Sequence, residues 1–232
     1  MPRLLESRLA ILEALHREYG PLPPPGAGPP PLKQDQTAFE AIVRAGLGLV
    51  TDLKIVSAAF EALANAGLLD PEALAGANPL EVDDIFQQAK VRLAAKALKP
   101  LQRIARWFER HDDQNLEQLS TEAIRDDWRA LNGVGPASAD ALLLFGLARP
   151  TIPVDRSSYR ILVRHGWLDP SSDYDEARSV LESIAPEDAQ GLGQLALGLE
   201  KLGRDYCKVS APKCDRCPLR PLLPEGGPVV GD

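Results

Sequence analysis

The stretch that most constrains the fold runs from Leu131 to Arg164, where a short turn separates two helical patterns and a lone acid precedes a third. The turn contains Gly133, Val134 and Gly135, and its glycines permit positive φ and leave no Cβ in the way. Backbone N–H groups, including that of Ala137 in the next helix, can then face outward and bind a phosphate. We therefore expect this turn to hold a nucleic-acid backbone without reading its sequence. A plain corner between two helices is the alternative.

Asp155 follows this turn by twenty residues, behind an apolar run at 141–148 and the helix breakers Pro150 and Pro153. Its position predicts that it caps a helix beginning near Arg156, since aspartate is a preferred N-cap residue. A structural cap is a sufficient explanation for this acid taken alone. The combination of the turn and the acid is more informative than either feature by itself.

The turn and the acid together resemble a known signature. The pattern L-x-G-V-G-x-x-x-A from Leu131, followed by P-V-D ending at Asp155 ahead of a basic helix, is similar to the helix–hairpin–helix and aspartate motif of the endonuclease III superfamily of DNA glycosylases. The resemblance extends over about residues 37–220. It implies two helical lobes with DNA between them, and double-stranded DNA containing a damaged base as the partner.

Helical periodicity of apolar residues runs through nearly the whole chain, and no strand-length alternation of apolar and polar residues interrupts it. The fold class is therefore predicted to be all-α, and the resemblance adds the helix–hairpin–helix motif. Capping signals predict a helix that begins at Phe39, behind the Thr37 cap, and a second helix after Asn78. A third helix is predicted behind a cap at Ser120 or Thr121. A long helix is expected from about Lys90 to His111, kinked at Pro100.

The domain organisation follows from composition and from the resemblance. Residues 21–35 are rich in proline and cannot propagate a helix, so they are predicted to form an extended connector. Residues 36–155 are expected to form the helical domain with the hairpin motif, and residues 1–20 and 156–220 a second, discontinuous helical domain. The tail at 221–232, rich in Pro and Gly, is expected to be flexible. The bulky aromatic residues Trp107, Phe108 and Trp128 are expected in the core rather than stacked on bases.

Three cysteines, Cys207, Cys214 and Cys217, lie close together near the C-terminus. An odd number of cysteines cannot pair completely, which favours a reducing compartment and metal ligation over disulfides. Their C-x6-C-x2-C spacing resembles the first three ligands of the [4Fe–4S] loop of the same superfamily. The resemblance therefore implies that the fold includes a C-terminal iron–sulfur cluster loop.

The fourth position of that loop is, by the same spacing, Leu223, and no other cysteine is present. Cubane clusters normally take four thiolates. The favoured hypothesis is a [4Fe–4S] cluster with an atypical fourth ligand, for which Asp215 and Tyr206 are candidates by proximity in sequence. A labile cluster, a relic loop and a three-cysteine zinc site are the alternatives.

The chain carries a net charge of −7, which argues against nucleic-acid binding over its whole surface. Residues 201–220 are the exception, with six basic residues against two acids and a local net charge of +4. Within this segment Lys208, Lys213 and Arg216 are predicted to contact DNA phosphates, with ordinary solubilising charge as the alternative. No apolar run approaches membrane length and the N-terminus does not resemble a signal peptide, so a cytoplasmic location is expected, with nucleoid association when DNA is bound. The protein is also expected to be a monomer.

The resemblance implies chemistry on a base that has been flipped out of the DNA stack. Asp155 matches the catalytic aspartate of the family, and a carboxylate there would stabilise the positive charge that develops on the sugar and orient the attacking water. Leu49 falls where family members often carry a polar residue that fills the gap left by the extruded base. It is either an apolar wedge or a core residue.

Some members of the superfamily also cleave the DNA strand through a lysine that forms a Schiff base. The matching position is Ala137, which offers no nucleophile, so a monofunctional glycosylase with absent or weak strand cleavage is predicted. The segments at 138–143, 154–159 and 173–176 are similar to the 3-methyladenine branch, whereas the cysteine loop resembles enzymes that remove oxidised pyrimidines. The substrate is therefore either an alkylated purine or an oxidised pyrimidine. A catalytically weak or inactive DNA-binding protein is the alternative function.

Overall fold

The structure, a computed structural model, describes residues 2–23, 37–111, 113–186 and 188–229. Within these ranges the chain forms α-helices and short 3-10 segments joined by turns, and no strand, which confirms the all-α fold class. The α-helices are α1 (Pro2–Tyr19), α2 (Ala38–Val50), α3 (Leu53–Asn65), α4 (Pro71–Gly76), α5 (Pro79–Gln88), α6 (Lys99–Phe108), α7 (Asp113–Gln118), α8 (Thr121–Arg129), α9 (Pro136–Leu147), α10 (Arg156–Arg164), α11 (Tyr174–Ile184) and α12 (Ala189–Asp205).

Side-chain caps set the helix starts that the sequence predicted. The Thr37 hydroxyl accepts the N–H of Glu40, and the Glu40 carboxylate accepts the N–H of Thr37, so α2 begins with a complete capping box. Asn78 accepts the N–H of Leu80 at the start of α5. Ser120 accepts the N–H of Ala123 at the start of α8. These three predicted starts are confirmed.

The predicted long helix over 90–111 is wrong. Helix α5 ends at Gln88, Lys90 adopts a positive φ of 57°, and a short 3-10 turn at Ala95–Leu98 precedes α6. Pro100 lies in the first turn of α6, where backbone N–H groups make no hydrogen bond within the helix. Its lack of an N–H therefore costs nothing there, and Pro100 marks the start of a helix instead of a kink. The Asp83 carboxylate accepts the N–H of Ala95 at 2.6 Å and stabilises the break.

The chain divides into two compact units, which we name the central unit (Pro23–Arg149) and the terminal unit (Met1–Leu22 with Pro150–Asp232). Helix α2 lies at the centre of the core of the central unit, in close contact with α9. A Cβ on Gly146 would lie 2.5 Å from the side chain of Ile42, so the glycine allows this close approach. The three bulky aromatic residues predicted in the core are buried there, and that prediction is confirmed.

The terminal unit is organised around α12, which packs against α1 and α10. Gly203 of α12 lies against Ser157 of α10, where an added Cβ would come within 2.2 Å of the serine Cβ. Residues 24–35 of the predicted connector lie outside the described residues. The C-terminal segment is described as far as Val229, whose N–H donates to the carbonyl of Arg164. None of the described helices is both long and apolar enough to cross a membrane.

Candidate functional site

The glycine turn, residues 131–135, joins α8 to α9 in the central unit. Gly133 adopts a positive φ of 81°, a conformation that its missing Cβ permits. Gly135 has a φ of −76° and is the N-cap of α9, so it does not use the positive φ that glycine also permits there. Pro136 occupies the first turn of α9, where its missing N–H costs nothing.

Gly135 leaves the start of α9 without a side-chain cap. The amides of Ala137 and Ser138 therefore have no partner within the helix, as for any helix start. An added Cβ on Gly135 would meet no atom within 4 Å, so the approach to these amides is open. Val134 plays a different part from the one predicted, because its N–H donates to Leu131 and its side chain is buried in the core.

Arg103, in α6, bonds directly to the glycine turn. Its Nη1 donates to the carbonyl of Asn132 at 2.6 Å. The contact places a guanidinium beside the turn, which adds positive charge where a phosphate would bind. Sequence analysis missed this residue, because 29 residues separate Arg103 from Asn132 and its helix carries basic residues on several faces.

A buried ion pair joins the two helices on either side of the turn. The Nε of Arg125 in α8 lies 2.7 Å from the carboxylate of Asp140 in α9. The side chains of Arg125 and Asp140 are 4% and 0% exposed, so the pair is held away from solvent. Since a buried charge needs its partner, the contact fixes α8 and α9 relative to each other and with them the shape of the turn.

Gly133→Ala is expected to destabilise the central unit by about 1–2 kcal/mol, because an L-residue is strained at this positive φ. The added Cβ would also lie 3.2 Å from the Arg103 guanidinium and weaken its contact with the turn. Chemical denaturation measures the loss. Gly135→Ala is the matched control, with about 0.5 kcal/mol expected since its φ is unstrained. Equal losses in the two variants would contradict the argument from φ.

Asp155 is the N-cap of α10 in the terminal unit, as predicted. One carboxylate oxygen accepts the N–H of Ser158 at 2.7 Å. The residue is half-buried, and it follows the buried residues Ile152 and Val154, which anchor the segment before it. A carboxylate has further acceptor positions on its two oxygens, so capping leaves Asp155 able to accept from a water molecule.

Glu200 is a second carboxylate near Asp155, and sequence analysis missed it. It lies one turn before Gly203 on α12, the helix that approaches α10 at Ser157. Burial raises the pKa of the Glu200 carboxyl, and the negative charge of Asp155 raises that pKa further. Arg204, 3.9 Å away, acts in the opposite direction. Because 45 residues separate Asp155 from Glu200, no local motif signals the pair.

The three cysteines line one pocket in the terminal unit. The residues that share this lining are Arg164, His165, Tyr206, Leu223 and Pro228. Burial raises the pKa of the Cys217 thiol, whereas hydrogen bonds to it from the backbone N–H groups of Leu219 and Arg220 lower that pKa. The three cysteines, which lie close together in the sequence, thus also lie around one pocket in the fold.

Two arginines from α10 hold the segment that contains Cys207. Arg164 donates to the Cys207 sulfur at 3.4 Å and to the carbonyl of Lys208 at 2.7 Å. Arg160 donates to the carbonyl of Cys207 at 2.7 Å. These bonds fix the backbone at Cys207 and Lys208 against α10.

No group of three His, Cys, Asp or Glu side chains in the described part of the chain is placed to hold a single metal ion. A [4Fe–4S] cluster makes a different demand, because each thiolate binds a different iron. Three thiols line this pocket, one fewer than the four thiolates that such a cluster normally takes. Leu223 lines the same pocket and has no ligand atom, so the fit is incomplete at the position that the sequence indicated.

The basic segment at 201–220 is partly neutralised within itself. Lys201 lies 3.4 Å from Asp205, and Arg204 lies within 4.0 Å of both Glu200 and Asp205. Three other cations of the segment, Lys208, Lys213 and Arg216, are exposed. Within the described part of the chain, none of them has a carboxylate within 4.0 Å. Positive charge is therefore concentrated on the loop that carries the cysteines.

Leu49 lies in the last turn of α2 in the central unit. Its side chain is 41% exposed, and the neighbouring Val50 is 44% exposed. This exposure is incompatible with the interpretation of Leu49 as a core residue, and its role as an apolar wedge stays a prediction.

No protein-family model matches the chain. A protein of Methanocaldococcus jannaschii that is provisionally named a DNA repair glycosylase is 26% identical over 187 residues, which are 80% of this chain and 84% of that protein. Endonuclease III of Thermotoga maritima is 27% identical over 151 residues, which are 65% of this chain and 66% of the enzyme. The structure of a trapped covalent intermediate between endonuclease III and DNA superposes with a TM-score of 0.65 and 20% identity, over 95% of this chain and 96% of the other.

The superposition shows that the chain has the fold of endonuclease III. Its sequence relatives are a DNA repair glycosylase and endonuclease III. This similarity confirms the resemblance to the endonuclease III superfamily that was found in the sequence.

Proposed function

We propose that the protein is a base-excision-repair DNA glycosylase that hydrolyses the N-glycosidic bond of a damaged base flipped out of double-stranded DNA. The observation that carries this proposal is the placement of Asp155, a half-buried carboxylate held at the N-terminus of α10 by its own capping bond. The names of its relatives, a DNA repair glycosylase and endonuclease III, agree with this class of activity.

DNA binding is assigned to three groups of residues. The free amides at the start of α9, next to Gly133 and Gly135, bind phosphates, since a helix N-terminus favours an anion. Leu49 inserts into the gap that the extruded base leaves. The exposed cations of the cysteine loop, Lys208, Lys213 and Arg216, bind the backbone without reading sequence. Since these residues supply all that one copy of the chain needs, we propose that it acts as a monomer.

Asp155 performs the chemical step. Breaking the bond between the base and C1′ leaves positive charge on the sugar, and a carboxylate stabilises that charge. Asp155 also orients the attacking water and accepts its proton as the new C–O bond forms, while the electron pair of the broken bond leaves with the base. Ala137 supplies no amine, so the product is an abasic site in an uncut strand.

The cysteine pocket is proposed to hold a [4Fe–4S] cluster through Cys207, Cys214 and Cys217. When bound, the cluster supplies iron–thiolate bonds that cross-link the cysteine loop. The residues of the chain then keep this loop, with its three exposed cations, in one conformation. No step of base release passes through this pocket.

Base release from duplexes that contain an alkylated purine, thymine glycol or uracil tests the proposal. Multiple turnover on at least one of them is expected, with an alkylated purine or an oxidised pyrimidine as the substrate class. The departures at Ala137 and Leu223 favour a second candidate, a catalytically weak DNA-binding protein. Tight binding to abasic DNA without release of any base would establish that candidate and overturn the first.

Ala137→Lys is expected to add strand cleavage to the enzyme, since it puts an amine at the start of α9, where the side chain of residue 137 is half-exposed. Borohydride reduction should trap a covalent adduct with abasic DNA in this variant, at least about tenfold above wild type. Ser138→Lys is the control, because its side chain leaves the same turn in another direction. Efficient trapping by the wild-type protein would show that another amine acts and would contradict the assignment of hydrolysis alone.

A further inference from the structure

A strongly basic segment of the central unit contains none of the residues to which DNA binding is assigned above. It runs from residue 90 to residue 106 and has six basic residues and no acid, in a chain with a net charge of −7. In the described part of the chain no carboxylate oxygen lies within 4.0 Å of any of these cations. With the flanking acids Asp83, Asp84 and Glu109 included, residues 83–109 still carry a net charge of +3. The six basic residues are Lys90, Arg92, Lys96, Lys99, Arg103 and Arg106.

The break before α6 decides where these charges lie. In one helix over 90–111 they would be spread around the circumference, since 3.6 residues make one turn. The break instead places four of them within ten residues, in the connector 89–98 and at the first residue of α6, and all four are exposed. Because no carboxylate neutralises them, their charge is open to an anionic partner. We name these four residues the connector cations: Lys90, Arg92, Lys96 and Lys99.

Lys90 adopts a backbone conformation that favours glycine. Its N–H donates to the carbonyl of Gln87 at 3.0 Å, and the N–H of Val91 donates to the carbonyl of Phe86 at 2.8 Å. This pair of bonds ends a helix when the first of the two donors is left-handed, and glycine is the usual residue there. Lys90 has a φ of 57°, so its backbone is strained, and strain of this kind clusters at functional sites. Stability alone would favour glycine at residue 90, whereas lysine supplies a charge.

The connector leads directly to the glycine turn. The side chain of Pro100 lies 3.9 Å from the position of a Cβ on Gly133, and Arg103 donates to the carbonyl of Asn132 at 2.6 Å, so the first turn of α6 packs against the glycine turn. Lys99 immediately precedes Pro100, so the connector cations end beside the phosphate site proposed at the start of α9. A chain of anions that occupies this site and continues over the connector meets positive charge in both places. A nucleic-acid backbone is such a chain.

We propose that the connector cations bind the phosphates of a second stretch of DNA backbone, next to the phosphate held at the glycine turn. Undamaged and damaged double-stranded DNA are bound alike, because phosphate contacts read no sequence. Each cation that neutralises a phosphate releases counterions condensed on the duplex, so binding weakens as the salt concentration rises. This inference rests on the DNA binding of the proposed function and is independent of the chemistry at Asp155.

The test is the salt dependence of binding to a short, undamaged DNA duplex. Fluorescence anisotropy measures the affinity of the full-length protein between about 50 and 200 mM salt. The slope of log K against the logarithm of the salt concentration falls in magnitude by about 0.9 for each phosphate contact removed. Arg92→Gln, Lys96→Gln and Lys99→Gln combined should therefore lower it by about 2.7. The three side chains are exposed, so the fold should be retained, which circular dichroism verifies.

Lys90→Gly tests the strain and the charge of Lys90 together. Glycine adopts a positive φ without strain, so Tm should rise by about 2–4 °C. The salt slope should fall in magnitude by about 0.9, because one cation is lost. A variant that is more stable than wild type and binds DNA less tightly cannot owe its weaker binding to unfolding.

Arg110→Gln is the matched control for Arg92→Gln. Arg110 is also exposed, but it follows the C-terminal end of α6, whereas the glycine turn packs against the first turn of that helix. We expect the wild-type slope in Arg110→Gln and a slope lower by about 0.9 in Arg92→Gln. Equal losses in the two variants would show that net charge alone sets the slope and would overturn the proposal.

Two further results would overturn the proposal. They are a combined variant whose slope falls by less than about 0.9, and a Lys90→Gly variant that keeps the wild-type slope. Base release by the wild-type protein, measured in parallel, tests the glycosylase proposal separately. Base release together with either result would leave that proposal intact. Binding through the connector cations without base release from any duplex would overturn the glycosylase proposal alone.

Discussion

Asp155→Asn is expected to slow base release by about 10²–10⁴-fold while the affinity for DNA and the stability of the fold are retained. Asparagine is as good an N-cap as aspartate, so the bond to the N–H of Ser158 persists in the variant. Only the negative charge and the capacity to accept a proton are lost. Single-turnover rates of base release measure the effect, on whichever duplex of the base-release experiment proves to be a substrate. Circular dichroism and thermal unfolding verify the fold.

Asp188→Asn is the matched control for this prediction. Asp188 caps α12 in the same unit and accepts the N–H of Gly191 at 2.8 Å, in the same way as Asp155 caps α10. We expect its rate of base release to equal that of wild type. A loss of less than about tenfold in Asp155→Asn would contradict its catalytic role, since general acid–base catalysis contributes more than this. Equal losses in both variants would show that helix capping is responsible.

Asp140→Leu is expected to destabilise the central unit by about 3–5 kcal/mol, because it removes the buried carboxylate beside Arg125 and leaves that buried cation only the exposed carboxylate of Glu122, 3.5 Å away. The substituted position faces the contact between α8 and α9, so the glycine turn between them should lose its shape as well. Urea denaturation measures the free energy of unfolding. The affinity for abasic DNA shows whether the glycine turn keeps the shape that binds phosphate. We expect both to fall.

A double substitution separates the charge from the packing. Arg125→Met with Asp140→Leu should recover part of the stability, because an apolar pair leaves no buried charge. Lys201→Met removes the exposed ion pair with Asp205 and should cost less than about 1 kcal/mol. A cost of Asp140→Leu as small as that of Lys201→Met would contradict the importance of the buried pair. So would a double variant that is less stable than the single one.

The predictions that the structure confirmed depend on residues close together in the sequence. Thr37, Asn78 and Asp155 start their helices through bonds that span two or three residues. The positive φ of Gly133 follows from a turn of a few residues. The break before α6 was missed, although it is local, because Pro100 suits a kink and a helix start equally well by sequence. The bond between Asp83 and Ala95, across 12 residues, accompanies the start.

The sequence by itself determined the helical fold class, the helix caps, the position of Asp155 after the glycine turn and the shortage of one thiolate. Each of these follows from residue type and from interactions within about one turn of helix, where few conformations compete. Tertiary structure alone brought Arg103 to the turn across 29 residues, Glu200 to the neighbourhood of Asp155, and His165 into contact with Leu219 across 54 residues. Such contacts are decided by how helices pack, because a helical face presents many side chains and only its partner selects which of them meet.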